Sequence, residues 1–303
     1  MLGSILDEVT MMVDKLMVIP PVIWKTGPVE EASLLPHTRA YLRTLAQLNP
    51  GYSVHYFSDR AARHFLDENF AHAPQILRAY DALIPGAFRA DLFRYCLLWL
   101  RGGVYGDLKQ RYLVPLDAIV DRRKDELVTV RDEEHGGVQG IQVSFIAAAP
   151  GLPVFWTAIC RVVQNVERRE YGASFLAVTG PALFLQALDC HPEQQYKQDL
   201  RQSGPHVIVL DVLTEGRSRP SKAVIHTKSL VETSIDSGSY AILWKEHAIF
   251  RTSSELLEET CQNAAGFKIT MGPWIERRHT YELIGVASFV VVATLVLHRL
   301  VAT

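Results

Sequence analysis

Between residues 18 and 251 the apolar pattern switches repeatedly between the alternation of a strand and the i, i+3, i+4 spacing of a helix. That switching favours an α/β sandwich with a largely parallel or mixed sheet. Residues 18–24, 52–57, 104–108, 127–130 and 141–147 read as strands, with 207–210 and 240–244 as late ones. Residues 38–48, 59–69, 88–100, 154–166 and 181–188 read as helices. The first of these helices ends at the turn Asn49-Pro50-Gly51, and 88–100 is stopped by Gly102-Gly103. No internal repeat or low-complexity tract appears.

With 31 Lys plus Arg against 33 Asp plus Glu, the net charge of −2 lacks the cationic surplus of a nucleic-acid binder. At 48% hydrophobic and 21% charged residues the chain can bury a full core. Cys96, Cys160, Cys190 and Cys261 lie far apart without a Cys-x-x-Cys pair, which speaks against a zinc knuckle or a disulfide framework. They read as small buried apolar residues in a reducing compartment.

The two ends differ from the middle. Residues 1–17 carry Leu2, Ile5, Leu6, Val9, Met12, Val13 and Leu16 at amphipathic-helix spacing, and Asp7, Glu8, Asp14 and Lys15 interrupt any export signal. From 283 to 297 no charged residue occurs, a reach of about 22 Å that extends to a ~30 Å bilayer core if 300–303 enter and Arg299 snorkels. A transmembrane tail over 283–303 is expected, with a buried C-terminal helix as the alternative. Residues 266–282 would then be a juxtamembrane linker, and 18–265 the main domain. Arg277 and Arg278 agree with a cytosol-facing domain, while a Golgi or ER lumenal enzyme would carry the same tail.

The chemistry concentrates in Arg89-Ala-Asp91-Leu-Phe-Arg94-Tyr95 and Gly102-Gly103-Val104-Tyr105-Gly106-Asp107. Asp91 and Arg94, three apart on one helix, leave from the same face and can converge on one ligand. Leu92, Tyr95, Cys96 and Trp99 lie on another face. The double glycine turns the chain into a strand that delivers Asp107 to its carboxyl end, where ligands bind in open α/β sheets. No phosphate-binding Walker loop, dinucleotide fingerprint or nucleophile elbow is present.

Residues 89–107, with Arg-x-Asp-x-x-Arg-Tyr and Gly-Gly-Val-Tyr-x-Asp, resemble the core signature of the family-32 glycosyltransferases, of the α-1,6-mannosyltransferase and capsular-polysaccharide type. The openings of the first two strands, Ile19-Pro-Pro-Val-Ile-Trp24-Lys25-Thr26 and Asn49-Pro50-Gly51-Tyr52, fit as well. So do Ala149-Pro150-Gly151, Thr179-Gly180-Pro181 and Leu243-Trp244-Lys245. The resemblance implies a GT-A-type, Rossmann-like nucleotide-sugar-binding fold and transfer of a sugar with retention from a nucleotide-diphosphate donor to a glycan or glycolipid. It places Trp24 near the nucleotide base, with an ordinary core aromatic as the other reading. Asp91 and Arg94 would meet the donor sugar and phosphates, with Tyr105 nearby. Asp107 would be the first acid of an Asp-x-Asp pair holding Mn2+ or Mg2+.

The chain departs from that pattern at Asp107-Leu108-Lys109, where a lysine stands in the place of the second acid. Three outcomes are open. Asp107 binds the metal with waters, diphosphate oxygens and another acid; Lys109 neutralises the diphosphate itself; or turnover is lost and a nucleotide-sugar-binding protein remains. The run Arg131-Asp132-Glu133-Glu134-His135 reads as a solvated loop, and His226 and His247 as structural, with diphosphate contact as the alternative.

Overall fold

The computed structural model describes residues 19–108, 110–112, 114–131, 140–191, 207–211, 225–226 and 239–252. The segments expected to form the N-terminal helix, the acidic 132–135 run, the juxtamembrane linker and the membrane tail lie outside them, as does Lys109. Among the described residues no helix is long and apolar enough to cross a membrane.

Six strands build the main sheet: β1 (Val22–Gly27), β2 (Ser53–Ser58), β3 (Gly103–Gly106), β5 (Leu127–Arg131), β6 (Ile141–Ala148) and β7 (Val207–Asp211), in the order β2-β1-β3-β6-β5-β7. β2, β1 and β3 run parallel, β6 runs antiparallel to β3 and to β5, and β7 is parallel to β5. The sheet is therefore mixed, within the architecture the alternating pattern demands. A two-stranded ribbon joins β4 (Arg111–Tyr112) to β8 (Ile225–His226).

The seven helices among the described residues are α1 (Pro36–Leu48), α2 (Asp59–Asn69), α3 (Pro74–Ala82), α4 (Gly86–Arg101), α5 (Pro153–Glu167), α6 (Pro181–Asp189) and α7 (Ser239–Lys245). Four of them open on a proline, whose missing N–H costs nothing in the first turn. α2 starts instead on Ser58, whose Oγ accepts from Ala61 N at 3.1 Å. The alternation of β-strand side chains sorts the core into two layers. Tyr105, Ile146 and Ala148 face α4 and α5, whereas Ile23, Val104, Phe145 and Ala147 face the opposite layer with Leu116. α4 is buried almost all round, from Phe88 through Asp91–Leu98. Each large apolar side chain there is worth about 1.5–3 kcal/mol on leaving water, enough to hold a helix that also carries an acid and a cation.

Three expectations need correction. The stretch 240–244 is helical, not a strand. Tyr240 and Trp244 both reach the Phe175 ring, at centroid distances of 5.4 and 6.4 Å. Residues four apart are ~6 Å from each other along a helix but ~13 Å along a strand, so only the helix lets one ring receive both. Cys160 and Cys190 are exposed, and only Cys96 of the described cysteines is buried, because Cys160 lies on the outer side of α5 where apolarity is not required. The first strand begins at Val22 rather than before the prolines, since Pro20 and Pro21 cannot donate to a ladder. The helix Pro74–Ala82 was not anticipated, although a proline at its first turn announces it.

Candidate active site

The site is assembled where α4 ends and β3 begins. Gly102 caps α4 with φ +58°, and Gly103 follows at φ +96°. A Cβ on Gly102 would lie 2.7 Å from Ala148 O and from Pro150 N, and one on Gly103 would lie 2.8 Å from Trp24 Nε1. Neither position can carry a side chain, because the chain reverses with backbone and indole pressed against it. β3 then runs between β1 and β6 and releases Asp107 at its carboxyl end.

The Asp107 main chain is fastened on both sides. Its N–H donates to Ser144 O at 2.8 Å. Its carbonyl accepts from Gln110 N at 3.0 Å and from Lys25 Nζ at 3.0 Å. Gln110 Nε2 donates in turn to Ser144 Oγ at 2.8 Å, and Tyr41 OH donates to Gln110 O. Asp107 and Gln110 are thus each held by described groups.

Behind the Asp107 carboxylate sits Arg94. Its Nη2 is 3.1 Å from Asp91 Oδ1 and 3.4 Å from Asp107 Oδ1. Nε donates to Ala90 O at 3.2 Å, and Nη1 donates to Val143 O. The guanidinium also lies 4.5 Å over the Tyr105 ring. Asp91 accepts a 2.7 Å hydrogen bond from Thr179 Oγ1, and Gly180 packs against the same carboxylate. Tyr95, one turn along α4, donates to Thr179 O at 2.9 Å.

Side-chain exposure separates these groups: 11% for Asp91, 5% for Arg94 and 42% for Asp107. Burial pushes the Asp91 carboxyl up to about 6, and the Arg94 charge and Thr179 hydroxyl only partly restrain it. Burial works against the charge on Arg94, but Tyr105, Asp91 and Asp107 together raise its pKa, so it stays a cation. Lys25 is fully buried, which lowers its pKa to about 7 against the pull of Asp107.

The structure brings Asp91, Arg94, Tyr105 and Asp107 together. Tyr105 is fully buried, with its hydroxyl 2.7 Å from Thr26 Oγ1. Trp24 stands on β1 beside the glycine pair, donating Nε1 to Gly102 O at 2.7 Å and packing on His55 and Phe57. His247 ends α7 against Tyr171, at 4.5 Å between rings. Among the described residues no group of three or more His, Cys, Asp or Glu forms a metal cage. The accessible donor among the described residues is one carboxylate, which would leave a hard divalent ion to take its remaining ligands from phosphate oxygens and water. Reading the sequence alone missed Lys25, Gln110 and Ser144 as supports of Asp107. The signal for Lys25 was present, a lone lysine in an apolar strand.

Residues 36–125 match the family described as "Glycosyltransferase sugar-binding region containing DXD motif". The chain is 29% identical over 119 residues to an initiation-specific alpha-1,6-mannosyltransferase of Candida albicans, covering 39% of this chain and 30% of that one. It is 28% identical over 172 residues to inositol phosphoceramide mannosyltransferase 2 of Schizosaccharomyces pombe, covering 54% and 44%. Among solved structures, the PaToxG glycosyltransferase superposes with a TM-score of 0.46 at 16% identity, over 65% of this chain and 80% of that one. The chain spans less than a third of the length of the Candida albicans mannosyltransferase. The segment that carries α4, β3 and Asp107 thus lies within the stretch that is similar to DXD-type sugar-binding regions of family-32 glycosyltransferases.

Proposed function

We propose that the chain is a glycosyltransferase of GT-A type that moves a hexosyl group, mannosyl first among the candidates, from a nucleoside-diphosphate donor to a glycan or glycolipid acceptor. The observation that carries this reading is Asp107. It is an accessible carboxylate at a strand tip, backed by a buried Arg94–Asp91 pair, inside the region matched by the sugar-binding family. A diphosphate leaving group gains negative charge as the glycosidic bond breaks, and Mn2+ or Mg2+ held there would stabilise that charge. Asp107 would hold the ion with donor phosphates and water. Arg94 and Asp91, being buried, aim and charge-balance that carboxylate rather than gripping the donor themselves. Trp24, half-buried beside His55, offers a ring face for the nucleotide base. The acceptor hydroxyl would attack on the face the diphosphate leaves, giving retention. Residues 283–303 would tether the domain, cytosol-facing, to the membrane that holds the acceptor.

A second reading is favoured by Lys109, which replaces the second acid: a nucleotide-sugar-binding protein without turnover. Hydrolysis of GDP-mannose, other GDP-sugars and UDP-sugars by the purified full chain, with and without Mn2+, separates the two. Mn2+-stimulated release of sugar is expected; donors that bind and are never cleaved under either condition reject the transferase reading. Lys109→Asp adds to it, since a gain in Mn2+-dependent rate would mean that the lysine displaced a ligand.

A further inference from the structure

The least explained group in the molecule is Lys25. It occupies the middle of β1 with no solvent exposure at all. Among the described residues its one hydrogen bond is the 3.0 Å contact to Asp107 O. Its ammonium stands 4.7 Å from the centre of the Tyr112 ring and 5.9 Å from that of Tyr41. A Cβ on Gly106 would lie 2.9 Å from Lys25 Nζ and 3.1 Å from Gln110 Oε1. The residue before Asp107 is thus a glycine where the Tyr112 hydroxyl, nearest of all, and the ammonium together leave no room for a side chain, at an ordinary φ. Gln110 Oε1 and Tyr112 OH, both buried and without a hydrogen-bond partner among the described residues, border the same space.

We propose that Lys25 is a positioning residue for Asp107: it fixes the 107–110 turn by its carbonyl, and the chain keeps it for that task against its own stability. This rests on the reading of Asp107 as the residue that meets the ion and donor phosphates. Removing an ammonium from water carries a large desolvation cost. A hydrogen bond from a charged donor and two ring faces return only part of that cost. Methionine has a similar length, would fill the same volume between β1, Gly106 and Tyr112, and would carry no such penalty. An apolar residue therefore suits packing at this position better than lysine does. What methionine cannot do is hold a carbonyl. With that bond gone, the Asp107–Gln110 turn keeps its N–H bond to Ser144 O and its closing bond from Gln110 N, but loses the tie to β1. The Asp107 carboxylate would then sample orientations away from Arg94, and among the described residues no second accessible acid stands beside it to compensate.

The experiment uses the full chain and Lys25→Met, with Lys25→Gln as a companion that restores a neutral N–H donor. Three quantities are read: the unfolding midpoint without ligand, Mn2+ affinity by calorimetry with GDP and separately with UDP, and amide hydrogen exchange at Asp107 and Gln110. For Lys25→Met the midpoint should be equal or higher, Mn2+ affinity about tenfold weaker, and exchange at Gln110 at least tenfold faster, with Lys25→Gln between it and wild type. A Lys25→Met chain that unfolds, or one whose turn amides stay as protected as in wild type, overturns the proposal. Should wild type bind no Mn2+ with either nucleotide, the reading of Asp107 fails by itself, and the exchange and unfolding data still decide whether Lys25 positions the turn.

Discussion

Arg94 Nη2 lies 3.4 Å from Asp107 Oδ1, which makes the accessible acid at the β3 tip a partner of a guanidinium rooted inside α4. The same nitrogen meets Asp91, and the other nitrogens are committed to Ala90 O and Val143 O. A lysine at 94 would preserve the charge but could not serve carboxylates and carbonyls in several directions at once. Arg94→Lys is expected to destabilise the fold by about 2–3 kcal/mol, from the unpaired buried acceptors left behind. It should also lower kcat/KM for donor cleavage about a hundredfold. Denaturant unfolding and steady-state kinetics on the same preparation check both. An active variant of wild-type stability would mean that the fork has no role.

Asp107→Asn isolates the other end of that contact. Asp91 remains to balance Arg94, and the Asp107 side chain is 42% exposed, so the fold should lose no more than about 1 kcal/mol. Activity should fall by about 10²–10³, because amide oxygen is a poor ligand for a hard ion and carries no charge toward a diphosphate. A thermal-shift scan beside a donor-hydrolysis assay reads the split. Loss of stability in step with activity would assign Asp107 to the fold instead.

What could be read from the sequence is what local spacing dictates. Asp91 and Arg94 share a face because they are three apart on a helix, and Gly102-Gly103 must turn because no other residue can; both relationships are confined to neighbours. The partners that complete the site are distant: Thr179 reaches Asp91 from 88 residues away, and Val143 reaches Arg94 from 49. No periodicity connects those segments. Lys25 carries no role in the sequence pattern, since in an alternating strand a lysine normally marks the wet face. Here both faces of β1 are covered, so the lone lysine is visible in the sequence but its burial is not. The 240–244 stretch went astray for a related reason: its aromatic, apolar composition suits a strand, and the Phe175 ring that settles it as a helix is remote in sequence.

The glycine pair makes a separable prediction about stability. Gly102 combines φ +58° and ψ −157° with backbone atoms 2.7 Å from any Cβ, so alanine there meets conformational strain and collision together. Gly102→Ala should cost about 3 kcal/mol or more. The shift needed to relieve it would carry β3, and Asp107 with it, away from Arg94. Kinetics at a temperature where the variant is fully folded should therefore still show reduced kcat. Recovery of wild-type kcat in the folded fraction would confine the glycine to stability alone.

Asp91 sets a pH dependence with a definite sign. Burial raises its pKa to about 6, with Asp107 adding to the rise and Arg94 and Thr179 opposing it; the buried Tyr95 and Tyr105 hydroxyls are also close. In the unfolded chain the carboxyl titrates near 3.9, so the native state binds the proton more tightly. The resulting stability is fully present below about pH 4 and is lost as pH rises through about 6. Relative to Asp91→Asn, which cannot titrate, wild type should gain roughly 2–3 kcal/mol between pH 7 and pH 4. Urea unfolding of both proteins at pH 7, 5.5 and 4 gives the double difference directly, in which the other titrating groups largely cancel. A double difference of zero would mean that Asp91 is solvated well enough to keep its ordinary pKa. One of opposite sign would mean that Arg94 outweighs burial, and the buried pair would then be a source of stability at neutral pH rather than a cost carried to aim Asp107.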